Sequence, residues 1–154
     1  MTSDDQTDRE WVRQFRAGDV LAFERLVRRH QDRIYRLALL WLYDDQLALD
    51  ATQEVFLRAH SGLRSFRFRS SVFTWLYRTV RNVCHEFNRK RQAEALDYDV
   101  PDNSEGPQQQ VERQQASAHV RQLVQKLPQR QREVVVLRLF EEFSVRETAA
   151  IMRC

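Results

Sequence analysis

The sequence predicts an all-α protein made of two small helical domains joined by a flexible acidic linker. Three observations predict it. Glycine and proline number only 3 each in 154 residues, too few for the turns of a sandwich or barrel. Hydrophobic residues make up 42% of the chain, and they recur mostly at three- and four-residue steps, the pattern of amphipathic helices. From about Ala93 to Gln115 that pattern stops. An acidic, Gln-rich stretch with Pro101, Gly106 and Pro107 replaces it, which reads as chain without a fixed fold. The expected parts are therefore a domain over 1–92, a linker over 93–115 and a second domain over 116–154.

Each helix has a local reason. Trp11, Val12 and Phe15 mark a short first helix over Glu10 to Phe15, which Gly18 breaks. Asp19 then caps a long amphipathic helix, about Val20 to Tyr43, whose stripe is Phe23, Leu26, Val27, Ile34, Leu37, Ala38 and Trp41. Asp44-Asp45 marks the next turn and cap. Leu47, Ala48, Ala51, Val55 and Ala59 give a third helix, ended by Ser61-Gly62. Leu63 to Arg69 reads as a loop in which rings and guanidiniums alternate. Ser70 or Ser71 caps a fourth helix to about Arg91, with Phe73, Leu76, Tyr77, Val80, Cys84 and Phe87 inward. Beyond the linker, Val120, Leu123, Val124 and Leu127 form one helix. Pro128 starts another that runs through Val134, Val135, Leu137, Leu139 and Phe140. Ser144 and Glu147 form a capping box before a short helix with Ala149, Ala150 and Ile151.

Charge narrows the function. The net charge is only +3, from 25 Lys+Arg against 22 Asp+Glu, but it is unevenly spread. Between Arg64 and Arg91 the bases are Arg64, Arg67, Arg69, Arg78, Arg81, Arg89, Lys90 and Arg91, with Glu86 the only acid. From Glu94 to Glu112 there are six acids and no base. Such asymmetry points to nucleic acid for the first segment, although a charge run alone is as readily a solvated face. Nearly all the bases are Arg, whose planar fork suits phosphates and base edges. Cys84 and Cys154 form neither a disulfide framework nor a zinc pattern. His30, His60, His85 and His119 have no metal-ligand spacing, and no Gly-rich phosphate loop is present. Catalysis, metals and cofactors are therefore not expected. The polar N-terminus is unlike a signal peptide, and Leu37 to Tyr43 is far too short to span a bilayer. A cytosolic protein without membrane insertion is expected.

Three constellations carry chemistry. On the fourth helix Trp75, Arg78, Arg81, Asn82, His85, Asn88 and Arg89 fall on one side. With Phe66, Arg67, Phe68, Arg69, Ser70 and Ser71 of the preceding loop, they offer phosphate contacts, base-edge contacts and rings on which unstacked bases can lie. At least one of Phe66 and Phe68 is as readily plain core. On the third helix Asp50, Gln53, Glu54 and Leu57 share a polar face with an apolar rim, able to dock an Arg-bearing partner helix. Finally, Leu127-Pro128 through Ile151 reads as the opening of a helix-turn-helix or as a plain helical hairpin.

Together these segments resemble the sigma-70 family, specifically its small extracytoplasmic-function group. Gly18-Asp19 with Ala22-Phe23-Glu24-Arg25-Leu26 is similar to that group's opening motif. Asp50-Ala51-Thr52-Gln53-Glu54-Val55-Phe56-Leu57 resembles region 2.2, Phe73-Thr74-Trp75-Leu76-Tyr77-Arg78 with Arg81-Asn82 resembles regions 2.3–2.4, and Leu127-Pro128 through Ala150 resembles region 4. The resemblance covers nearly all of the chain outside the extreme N-terminus and the linker.

It implies that Asp50, Gln53, Glu54 and Phe56 dock on the β′ clamp helices of core RNA polymerase, with the β subunit a further contact. It implies that the loop Phe66 to Ser71 captures a flipped base of the −10 element, and that Trp75, Arg78, Arg81, Asn82 and Arg89 hold the non-template strand. An anti-sigma factor is the implied regulator. Family members continue beyond Cys154 into a helix that reads the −35 element. The chain is therefore either truncated or without −35 reading. In that case Ala149, Ile151 and Met152 should be partly exposed, the last turn should fray, and no −35 preference is expected. The rival readings are a helix-turn-helix DNA-binding regulator that does not bind polymerase, and a decoy that binds an anti-sigma factor.

Overall fold

A computed structural model describes residues 2–97, 119–120 and 122–153, which are helices and connecting turns with no strand among them. The chain divides into two compact units, Met1–Glu94 and Ala95–Cys154. Most of the expected linker lies outside the described residues.

In the first unit the helices are α1 (Ser3–Arg16), α2 (Val20–Leu42), α3 (Asp45–Gly62) and α4 (Val72–Asp97), with a 3-10 turn at Leu63–Ser65. α1 starts well before the expected Glu10. Thr2 caps it by accepting from the Asp5 N–H at 3.3 Å, and Asp4 and Asp5 suit the positive end of its dipole. Apolar periodicity misses this turn because its inward positions are Asp5 and Asp8, both buried. Gly18, at φ +104°, makes the break in the left-handed region that side chains avoid. Asp19 then caps α2 through the Leu21 N–H at 3.0 Å.

α2 ends with Tyr43 left-handed, at φ 56°. Its last carbonyls would be orphans, and α4 serves them: Asn88 Nδ2 donates to Trp41 O at 3.2 Å and Arg91 Nη1 to Leu42 O at 2.8 Å. Asp44 caps α3 and Ser71 caps α4, each accepting from the N–H three residues on. α4 continues to Asp97, past the expected end near Arg91. Gln92, Ala93, Glu94, Ala95 and Leu96 are good helix formers, so nothing local stops it.

The core of this unit draws Leu26, Ile34, Leu37 and Leu42 from α2, Ala48, Ala51, Val55 and Ala59 from α3, and Val72, Leu76, Tyr77, Val80 and Cys84 from α4. Each large side chain so buried contributes about 1.5–3 kcal/mol. Alanines line the inward face of α3, which lets a neighbouring helix approach closely.

In the second unit residues 119–125 are helical apart from position 121, which is not described. They are followed by α5 (Gln129–Val135), a π-helical turn (Val136–Phe140) and α6 (Val145–Met152). Arg132 closes the first of these helices, donating to the carbonyls of Val124, Gln125 and Leu127 at 3.2, 2.8 and 3.2 Å. Val120 and Leu123 stay exposed, and Val124 alone of the expected stripe is buried. Ile151, expected to be partly exposed, is buried at 1%, on a helix that packs on the π-helical turn. Ala149 and Met152 are half-buried.

The expected capping box of α6 is present. Ser144 Oγ accepts from the Glu147 N–H at 3.1 Å, and Glu147 Oε2 accepts from the Ser144 N–H at 2.7 Å. The hydrogen bond from the Ser144 backbone holds the Glu147 carboxyl below its ordinary value of 4.5. A carboxylate with a depressed folded pKa stabilises above the ordinary value and loses that contribution as pH falls through it. Glu147→Gln, which removes the charge that this backbone N–H serves, should therefore lower stability near neutral pH, with a smaller difference at pH 3. Thermal unfolding of parent and variant at both pH values checks this. An equal difference at both would remove Glu147 from the account.

Candidate functional site

The loop between α3 and α4 is built by α1. Arg9 donates from Nη1 to Phe68 O at 3.3 Å and from Nη2 to Ser70 O at 3.0 Å. Arg16 donates from Nε to Leu63 O at 2.9 Å, and from its fork to Phe66 O. Asp5 fixes the arrangement at its far end. One oxygen accepts from Arg9 Nε at 2.8 Å, and the other from the Val72 N–H, in the first turn of α4, at 3.2 Å. Sequence reasoning missed these residues, because the α1 arginines and the loop carbonyls they hold lie 47 to 61 positions apart and no local pattern joins them.

Inside the loop Phe68 sits at φ 54°, a left-handed conformation that costs a bulky residue of order 1–3 kcal/mol. Its ring lies 5.0 Å from that of Phe66, and the guanidiniums of Arg9, Arg13 and Arg16 lie 5.6, 5.3 and 4.9 Å from its centroid. Phe66 is buried, so it serves as the floor of the loop and not as a free stacking platform. Phe68 is half-buried, Arg67 and Arg69 are exposed, and Ser70 and Ser71 are half-buried.

Trp75 joins loop to helix. Its ring is 5.9 Å from Phe66, and it lies over Gly62, where an added Cβ would come 2.7 Å from Trp75 Cζ2. Gly62 thus makes room for the indole. Along α4, Trp75, Arg78 and Arg81 are half-buried, while Asn82 and Arg89 are exposed. Two other members of the expected stripe have structural partners. His85 packs edge-on against Trp41 at 5.3 Å, and Asn88 caps α2. Cys84 is buried, and burial pushes its thiol up to about 12, so it stays protonated and inert.

On α3, Asp50 and Gln53 are exposed, Glu54 and Phe56 half-buried, and Leu57 and Leu49 are large apolar residues on the solvent side. Glu54 accepts from Arg58 Nε at 2.8 Å. Arg58 in turn forks onto Glu86 of α4 at 3.0 and 2.6 Å. That explains the single acid of the basic segment: the Arg58 guanidinium holds the Glu86 carboxyl below its ordinary range. Among the described residues, no group of three or more His, Cys, Asp or Glu side chains could hold a metal ion.

Comparison with known proteins gives this geometry a family. The sigma-70 region 2 family matches residues 26–94, and the sigma-70 region 4 family matches residues 118–154. The RNA polymerase sigma-H factor of Pseudomonas aeruginosa is 32% identical over 97% of this chain and 84% of its own length. The ECF RNA polymerase sigma factor SigM of Mycobacterium tuberculosis is 33% identical over 96% of this chain and 74% of its own. Among solved structures, CnrH, determined in complex with the cytosolic domain of CnrY, superposes with a TM-score of 0.71 at 26% identity, over 96% of this chain and 83% of that one. Two family regions in the expected order, with relatives matched along nearly the whole chain, make this protein a member of the sigma-70 family, an extracytoplasmic-function sigma factor and so a transcription initiation factor and not itself an enzyme.

Proposed function

We propose that this sigma factor recruits core RNA polymerase through the solvent face of α3, and that it opens promoters by taking the non-template strand of the −10 element onto the loop and α4. Asp50, Gln53, Glu54 and Phe56 dock on the β′ clamp helices, with the β subunit as a further contact. Arg67, Phe68, Arg69, Ser70 and Ser71 receive a flipped base. Trp75, Arg78, Arg81, Asn82 and Arg89 run along the strand. Residues 1–92 carry both roles, 93–115 link, and 116–154 supply region 4.

The observation that carries the reading is the continuity of rings from loop to helix: Phe68 against Phe66 at 5.0 Å, and Phe66 against Trp75 at 5.9 Å. The guanidiniums of Arg9, Arg13 and Arg16 gather at its Phe68 end, and rings beside arginines are the composition that single-strand binders use. A helix-turn-helix regulator without polymerase binding is disfavoured, because the region 2 match spans both the docking face and the stripe.

The test is a titration of the chain, assembled with core polymerase, against single-stranded and duplex −10 DNA at one salt concentration. The single strand should bind more tightly, since each stacked base is worth about 1–3 kcal/mol. Equal affinities would indicate phosphate contact alone, which is salt-dependent and blind to bases. The docking face has its own test. Glu54→Arg should weaken core binding at least about tenfold, a loss typical of an interface charge reversal, with helicity retained. In the parent the fork from Arg58 to Glu86 does not pass through Glu54. Unchanged core affinity would reassign the face.

Regulation by an anti-sigma factor, in the cytoplasm, belongs to the same reading. Leu57 on α3 and Leu139, Phe140 and Val145 in the second unit are exposed apolar side chains of the kind a protein partner covers. The relative CnrH was captured with the cytosolic domain of another protein. Among the described residues no helix is long and apolar enough to cross a membrane.

A further inference from the structure

We propose that Arg9 and Arg16 of α1 are positioning residues for strand capture, holding the −10 loop in its receptive shape by its backbone. The inference rests on the reading of loop and α4 given above, and it adds a helix that this reading does not use. Between them the two guanidiniums take the carbonyls of Leu63, Phe66, Phe68 and Ser70, so that nearly every turn of the loop is tied to one rigid element. An isolated loop would relax Phe68 out of its left-handed conformation. Here Arg9 holds the Phe68 carbonyl while three guanidiniums surround its ring.

α1 is itself anchored. Buried Asp8 accepts from Arg29 at 3.0 Å and pairs with His30 at 2.8 Å, both on α2. The loop's shape is therefore set from the α2 core through α1. Each fork spans two carbonyls at once, which a lysine ammonium on a flexible stem does not reproduce.

The experiment compares the parent with Arg9→Lys, Arg16→Lys and the double variant, each assembled with core polymerase. The probes are a fluorescent single-stranded oligonucleotide pool randomised at successive positions, and a duplex of the same length. Core affinity and thermal unfolding are recorded alongside. The charge is conserved, so duplex and core affinities should stay within about twofold. Single-strand affinity should fall at least about fivefold in the double variant, with base selection flattened, since a displaced stacking ring loses a large part of its contribution. The single variants should fall between.

Base selection that persists in the double variant, whatever happens to the melting temperature, would reduce the clamp to ordinary fold support and overturn the proposal. Loss of core binding in parallel with DNA binding would overturn it too, because the two arginines would then be supporting the whole unit. If the parent itself shows no strand or base preference, the functional reading fails before the variants are compared, and this inference falls with it.

Discussion

Asp8→Ala should destabilise the first unit by about 3–5 kcal/mol, the range for breaking a buried charged pair by removing one partner. Asp8 is 2% exposed. One oxygen accepts from Arg29 and the other pairs with His30, itself buried and stacked on Phe73. Without the carboxylate, His30 stays inside with its ring nitrogen unserved, and Arg29 keeps only the Asp4 carbonyl and the Trp11 ring. A domain of this size has about 5–15 kcal/mol in total, so the loss should be visible as a large fall in denaturant midpoint with an unchanged slope. A change below about 1 kcal/mol would mean that water or a neighbouring group takes over the carboxylate's role. Because α1 bears the loop clamp, the variant should also bind the single strand less tightly at temperatures where the unit is still folded.

The second large effect concerns Trp75. Trp75→Ala removes the ring that connects loop and helix, and should cost about 1–3 kcal/mol of single-strand affinity if one base stacks on it. A control separates stacking from general damage. Gly62→Ala removes no ring but puts a methyl where the indole lies, 2.7 Å from Cζ2 and 2.9 Å from Cη2. The indole must move. Single-strand affinity should then drop by part of the Trp75→Ala loss, while duplex affinity holds. If Gly62→Ala binds like the parent although Trp75→Ala does not, the ring matters for packing against Phe66 and not for its position over the strand. If neither changes, Trp75 leaves the interface.

Of the four long helices of the first unit, α2, α3 and α4 were legible because each announces itself locally. Asp19 and Asp44 cap where expected, Ser71 is the one of the two expected serines that caps α4, Gly18 breaks where expected, and apolar residues mark the inward faces. The capping box at Ser144 and Glu147 was equally legible, since both partners lie within one turn. Reading failed where the inward residue is polar or the partner distant. Residues 3–9 were missed because Asp5 and Asp8 are buried by pairing and not by apolarity. Ile151 was expected to be partly exposed, and it is buried.

For the candidate site, the sequence alone displayed the content: rings interleaved with arginines over residues 66–89, an isolated acid at Glu86 and a mixed face on α3, while the resemblance to the family rested on the ordered motifs from Gly18 to Ala150. Only the tertiary structure decided which of those side chains are available. It took Phe66 into the core, gave Asn88 and Arg91 to the end of α2, tied Glu54 and Glu86 together through Arg58, and set the loop under the arginines of α1. The reason is physical. Helix periodicity and caps are interactions over three or four residues, which a sequence displays directly. A guanidinium seeking carbonyls 47–61 positions away is placed by packing, and only the folded chain brings the two together.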